Sequence, residues 1–141
     1  MAAGDFYFAI DATFRHIHAT YGKEALVEYW QAMAREYHRP LAECFRRGGL
    51  EEVRAYWAAY FAAEPGGDVE VRRGDNEVEL VVRACPAIGW LRAAGRDIVP
   101  CFCEHCRHVS GTLAAAAGMT FALTGGDGAC RQVFRLQGDT A

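Results

Sequence analysis

The change from helix to sheet falls in residues 68–84, which read DVEVRRGDNEVELVVRA. Before this stretch apolar residues recur at spacings of three and four, whereas here Val69 and Val71 alternate with charged residues. Alternation with a period of two is typical of a strand with one buried face. Because Gly74-Asp75-Asn76 supplies turn residues between two such runs, the stretch predicts a β-hairpin with one face in water.

Upstream of the hairpin, the apolar spacing predicts three helices. The first runs from Asp5 to Tyr21, and the second begins near Lys23. Pro40 either kinks the second helix or opens a further turn, and the glycine pair at 48–49 stops it. The third helix covers residues 50–63. The aromatic residues of these helices belong to the core by their spacing, with a pocket for a flat or apolar ligand as the alternative.

Downstream of the hairpin, a short helix is predicted over residues 87–94 and a longer one from about 102 to 117. A second hairpin follows, with strands at 119–124 and 129–136 around a glycine-rich turn. The predicted fold class is therefore α+β, with the element order αααββααββ. We expect one domain, residues 1–141, in which an N-terminal helical layer packs on an antiparallel sheet of about four strands made from two hairpins.

Composition limits the classes of partner. The formal net charge is −3 and both signs are mixed along the chain, so the sequence predicts no nucleic-acid partner. No apolar run approaches the roughly 20 residues needed to cross a bilayer, which predicts no membrane partner. Six cysteines occur without an export signal, so we expect free thiols and a cytoplasmic location.

The densest group of reactive residues is CFCEHCRH at positions 101–108. On a helix of 100° per residue, Cys103 and Cys106 share the apolar side. Cys101, His105 and His108 fall on the other side, and the two histidines are predicted to lie on a solvated face. We therefore expect the Cys103 and Cys106 thiols to point inward.

A metal site is one interpretation of the inward pair, because two thiols at this spacing can share one zinc or iron ion. Sheet topology can bring two further cysteines beside the helix, one at the end of the first hairpin and one at the start of the last strand. The predicted ligands are Cys85, Cys103, Cys106 and Cys130, with zinc as the cofactor and iron or an iron–sulfur cluster as alternatives. The alternative without metal is that these cysteines are small buried hydrophobic residues.

A catalytic interpretation is also open. A thiol in the first turn of a helix, at Cys101 or Cys103, can be a nucleophile. The candidate acids and bases are Glu104, His105 and His108. Three arginines could hold a ligand carboxylate through bidentate contacts, or lie on the solvated surface, namely Arg107, Arg131 and Arg135.

The second half of the chain resembles a family of known enzymes. It is similar to the family named for L-2-amino-thiazoline-4-carboxylic acid hydrolase. The similar positions are Cys85-Pro86, the run from Pro100 to Cys106, Gly118, and the stretch Gly126 to Cys130 followed by Phe134. The resemblance covers residues 85–136 and implies a hydrolase. This chain has Cys106 where the family pattern has an acidic residue, which makes the site richer in thiols.

A more distant resemblance is to ligand-binding domains of the 4-vinyl reductase type. The matching positions are Cys103 and Cys130, and the resemblance implies a dimer that binds zinc through cysteines and holds an apolar ligand. The Glu and Cys ligands of those domains are replaced here by Met119 and Ala122.

Two functions follow as hypotheses. The first is a small metal-associated hydrolase that acts on a C–N bond of a small heterocyclic or amide-like molecule. The alternative is a small-molecule-binding or accessory domain with a structural zinc held by cysteines. In both cases the partner is a small-molecule ligand or substrate, and we expect a homodimer because three aromatic helices are hard to bury in so small a domain.

Overall fold

The structure is a computed structural model that describes residues 3–138. It confirms the predicted α+β class and the order of elements. A π-helical segment, Met33–Tyr37, separates the second and third helices. The elements are α1 (Ala3–Tyr21), α2 (Lys23–Ala32), α3 (Arg39–Ala63), β1 (Asp68–Arg73), β2 (Glu77–Ala84), α4 (Pro86–Ala93), α5 (Glu104–Ala116), β3 (Met119–Gly126) and β4 (Ala129–Leu136).

The structure adds a break upstream of the predicted one, within the predicted second helix. The break occurs at the π-helical segment, and Pro40 lies in the first turn of α3, where its missing N–H costs no helical hydrogen bond. The break predicted at the glycine pair is present as a kink, because Gly49 takes a non-helical φ of 68° and ψ of −153° that divides α3 into two helical parts. That conformation is open to glycine and strained for other residues.

All four strands form one antiparallel sheet in the order β1-β2-β4-β3. The two predicted hairpins are joined by pairing of β2 with β4, in which Leu80 faces Gln132 and Val82 faces Cys130. The second hairpin closes through Asp127 and Gly128, whose φ values of 56° and 98° suit a two-residue turn. This pairing brings the end of β2 beside the start of β4.

Two hydrophobic cores pack against each other. The sheet core lies between the inner face of the sheet and helices α3 and α5, and it includes Phe45, Leu80 and Phe134. The helical core joins α1, α2, α4 and the loop before α5, with Trp30 and Leu91 at its centre. Cys85 contacts both cores, so the chain segment between β2 and α4 marks the seam between them.

No helix in the described range, residues 3–138, combines the length and the hydropathy that a membrane span requires.

Candidate functional site

A cavity of about 170 Å³ lies at the seam between the two cores. Both cores contribute to its wall, since Val82 and Leu123 come from the sheet, Trp57 from α3, and Ile88 and Phe102 from the helical core. The four cysteines predicted to act together all line it, and so does His105; the set is Cys85, Cys103, Cys106, Cys130 and His105. The structure therefore brings together five of the seven predicted site residues.

The mouth of the cavity lies beside α1 and α3. Ile10 and Tyr60 line the cavity and are also exposed to solvent. Between the same two helices, the Tyr7 hydroxyl donates a hydrogen bond to the carboxylate of Glu64, the residue after α3. Burial and this carboxylate raise the pKa of Tyr7, and burial with the same carboxylate raises the pKa of Tyr60 to about 12. Both hydroxyls therefore stay protonated at neutral pH.

Burial keeps three of the thiols in the cavity wall protonated. Burial raises the pKa of Cys106 to about 11, opposed in part by the side-chain amide of Gln132. Burial also raises the pKa of Cys85 and of Cys130, and neighbouring thiols of the cluster add to both shifts. A low-dielectric wall disfavours the charged form of a thiol. The three thiols are thus neutral hydrogen-bond donors at physiological pH.

His105 and Cys106 form a directed pair at the start of α5. The Nδ1 atom of His105 lies 2.5 Å from the carbonyl oxygen of Phe102, which can only accept. Nδ1 therefore carries the ring hydrogen, and Nε2 is the acceptor. Nε2 lies 3.5 Å from Sγ of Cys106, so the thiol donates to the imidazole. Burial lowers the pKa of His105, which keeps the ring neutral.

The imidazole of His105 is fixed by aromatic packing. Its centroid lies 5.3 Å from the ring of Phe14 and 5.1 Å from the ring of Phe102. Trp30 packs at 6.4 Å from the same imidazole. The predicted solvated position of His105 was wrong, because the imidazole lines the cavity and packs between aromatic rings.

Gln132 is a site residue that sequence reasoning missed. Its side chain is buried in the middle of β4, lines the cavity, and donates from Nε2 to Sγ of Cys130 at 3.5 Å. The signal was available in the sequence, because a glutamine occupies an inward position between Cys130 and Phe134. The Gln132 amide contacts the thiols of Cys130 and Cys106, and its oxygen can accept a hydrogen bond from a ligand.

The other predicted acid and base lie outside the cavity. Glu104 forms an ion pair with Lys23, with 2.7 Å between Oε1 and Nζ. His108 stacks on Trp30, with ring centroids 5.6 Å apart, and its side chain is partly exposed. Cys101, one of the two candidate nucleophiles, is buried in the helical core. The structure does not bring these three residues to the cluster of thiols.

The predicted metal ligands share a cavity without forming a ligand set. Within residues 3–138, no three His, Cys, Asp or Glu side chains are arranged to hold one ion. A zinc site needs three or four such groups converging at about 2.0 to 2.3 Å from the metal. The arrangement of the cysteines does not fit that requirement, so we derive no step through a metal, and zinc stays a prediction.

In comparisons with known proteins, no family model matched this chain, and no significant match was found among curated proteins. The resemblances described above therefore stay predictions.

Proposed function

We propose that the protein is a hydrolase that cleaves a C–N bond of a small heterocyclic or amide-like molecule, with Cys106 as the nucleophile and His105 as the base. The observation that carries the proposal is the contact between Cys106 Sγ and the accepting nitrogen of His105 in the cavity wall. A nucleophile that contacts a base, with that base oriented by a third group, is the arrangement used for covalent catalysis. Here the third group is the carbonyl of Phe102.

The geometry supports a two-stage reaction. Sγ attacks the carbon of the C–N bond while its proton moves to Nε2 of His105. The imidazolium then donates that proton to the leaving nitrogen as the C–N bond breaks, which leaves a thioester on Cys106. His105 takes a proton from water, the resulting hydroxide attacks the thioester, and the thiol is restored.

The raised pKa of the Cys106 thiol is compatible with this order of events. A thiol that is neutral at rest transfers its proton only as the new S–C bond forms, so charge separation in the apolar cavity stays small. A neutral imidazole at His105 is the form that can accept that proton. Gln132 and the thiol of Cys85 are then donors available to the developing negative charge on the substrate.

The test uses 4-nitroacetanilide, a flat neutral amide that releases a coloured amine. We expect slow hydrolysis by the wild-type protein and an acetyl group on Cys106 detectable by mass spectrometry. Cys106→Ser and His105→Gln should each lower the rate by at least about 100-fold, the range of a lost nucleophile or base. Cys44→Ser is the matched control, because Cys44 lies on α3 and is not among the residues that line the cavity. Full activity in Cys106→Ser, or acetylation elsewhere, would overturn the proposal.

The second candidate is a domain that binds a small molecule without turnover, and it is favoured by the aromatic wall of Trp57, Tyr60, Phe61 and Phe102. It predicts binding with no acyl intermediate in the same experiment. In its zinc-containing form it also predicts about one equivalent of zinc in elemental analysis of protein purified without chelator, lost in Cys103→Ser. A reduced cytoplasmic protein that forms a homodimer is part of both proposals.

A further inference from the structure

The residues that line the cavity are all uncharged. Among the residues that the structure describes, the lining contains no Lys, Arg, Asp or Glu, and its one imidazole is held neutral by burial. Burying an ionised carboxylate without a partner is strongly unfavourable, because neither a counter-charge nor water replaces its hydration. The absence of charge in the lining therefore disfavours a charged ligand in the cavity.

The three arginines considered from the sequence as carboxylate contacts lie elsewhere. Arg131 and Arg135 pair with Glu79 and Glu77 on the outer face of the sheet. Arg107 is exposed and donates to the carbonyl of Leu123 at 3.3 Å. None of the three belongs to the lining of the cavity.

A second hollow next to the cavity does contain arginines. It is a shallow surface feature that includes Arg83 and Arg92. Arg83 already pairs with Glu70 at 2.8 Å, and Arg92 lies 3.7 Å from the carboxylate of Asp127. Both guanidinium groups therefore have carboxylate neighbours from the chain itself.

A wall separates this hollow from the cavity. Four residues line both features, namely Cys85, Ile88, Gly128 and Ala129. The wall is closed by a backbone hydrogen bond of 2.8 Å from the Cys85 N–H to the Gly128 carbonyl. Gly128 is also packed tightly, since a Cβ at this position would lie 3.1 Å from the Ile88 side chain.

The polar groups that do face the cavity suit a neutral ligand. The thiols of Cys85, Cys106 and Cys130 are protonated donors, and the amide of Gln132 can both donate and accept. The volume of about 170 Å³ is close to that of an engineered cavity known to hold a single benzene ring. The wall therefore matches one flat ring with a small neutral polar substituent.

We infer that the cavity binds small, flat, uncharged molecules such as aromatic amides and rejects the corresponding carboxylates. The inference rests on the cavity assigned in the proposed function, but not on the chemistry of Cys106. It names the substrate class of that site: a neutral amide or neutral heterocycle rather than an amino-acid-like anion.

Benzamide and benzoate are the matched probes, because they share shape and size and differ in charge. We expect titration of the reduced full chain, followed by NMR of the Trp57 and Gln132 side-chain N–H groups, to show saturable binding of benzamide at neutral pH. Benzoate should bind at least roughly tenfold more weakly, because its carboxylate finds no cation in the wall. Ala87→Leu, which fills part of the lining, should abolish benzamide binding while circular dichroism shows the fold unchanged.

Three outcomes are possible, and each decides the inference. Benzamide binding with weak benzoate binding supports it, whether or not the protein hydrolyses 4-nitroacetanilide. Equal or tighter binding of benzoate overturns it, and loss of that binding in Arg92→Gln would locate the carboxylate in the neighbouring hollow. If neither probe binds, the cavity does not select neutral aromatic amides and the inference fails, while acetylation of Cys106 still tests the proposed function separately.

Discussion

The two faces of the sheet carry different kinds of polar group, charged on the outer face and neutral on the inner face. On the outer face, Arg135 pairs with Glu77 at 3.0 Å and Arg131 with Glu79, in contact with solvent. On the inner face, Cys130 and Gln132 line a cavity without charged residues. The comparison shows that polarity alone does not mark the site. The arginines of the outer ion pairs reach solvent, where such pairs contribute little, whereas the neutral groups lie where an unpaired donor is costly.

The same alternation of strand residues separates the two environments. Along β2, Leu80 is fully buried while its neighbour Glu79 pairs with two arginines outside. Along β4, Gln132 points inward next to the outward Arg131. Two neighbouring residues of one strand therefore lie in different environments, one facing solvent and one facing the apolar interior. A substitution is expected to have a different effect at each of them.

The largest effect is expected from truncating the inner face. Leu80→Ala should lower the free energy of unfolding by about 2–5 kcal/mol, because it removes a fully buried side chain and leaves a void. Its neighbour offers the matched control: Glu79→Gln, which keeps the shape and removes the charge, should cost less than about 1 kcal/mol. Urea denaturation measures both. Equal costs would show that the two faces are not energetically distinct.

A smaller effect concerns the acidity of the cavity thiol. A pKa raised from an ordinary 9.0 to about 11 lowers the thiolate fraction of Cys106 at pH 8 by roughly 100-fold. Alkylation by iodoacetamide, followed for each cysteine by mass spectrometry, should be slow at pH 8 and accelerate as the pH approaches 11.

The direction in which stability depends on pH follows from burial, which favours the neutral thiol of Cys106 in the folded state. Stabilisation by the neutral thiol is complete below pH 9 and is lost as the pH rises through about 11. The control is the same chain in denaturant, in which Cys106 should be alkylated with an ordinary pH profile. A folded-state midpoint at or below 9 would contradict the burial argument.

The smallest effect is expected on the outer face. Raising the salt concentration to 1 M shortens the screening length to about 3 Å and weakens exposed ion pairs. The free energy of unfolding should change by less than about 1 kcal/mol, because several such pairs each contribute little. Denaturant titrations at low and high salt test this. A loss of several kcal/mol would mean that the arginine and glutamate ladder is a main source of stability.

Much of the fold could be predicted because its signals are local. The alternation of Val78, Leu80 and Val82 predicts β2, and the glycine-rich turn predicts the second hairpin, both as observed. The kink at Gly49 lies where the glycine pair predicted a break, whereas nothing in the sequence pattern predicted the π-helical segment Met33–Tyr37. Whether α3 continues depends on the sheet core that packs against both of its halves.

The candidate site was predictable in its members but not in its contacts. The sequence predicted that the sheet could bring Cys85 and Cys130 beside the helix, but not that pairing of β2 with β4 would do so. Adjacent residues such as His105 and Cys106 do not face each other on a regular helix. They meet here in the first turn of α5, where the contact of His105 Nδ1 with the Phe102 carbonyl orients the ring so that Nε2 lies 3.5 Å from Cys106 Sγ.

The position of the cavity at the seam has a consequence for cooperativity. A molecule bound there would touch residues of both cores, including Phe102 on one side and Val82 on the other. Filling the space would therefore couple the opening of the helical part to the opening of the sheet, and amide hydrogen exchange would slow in both together.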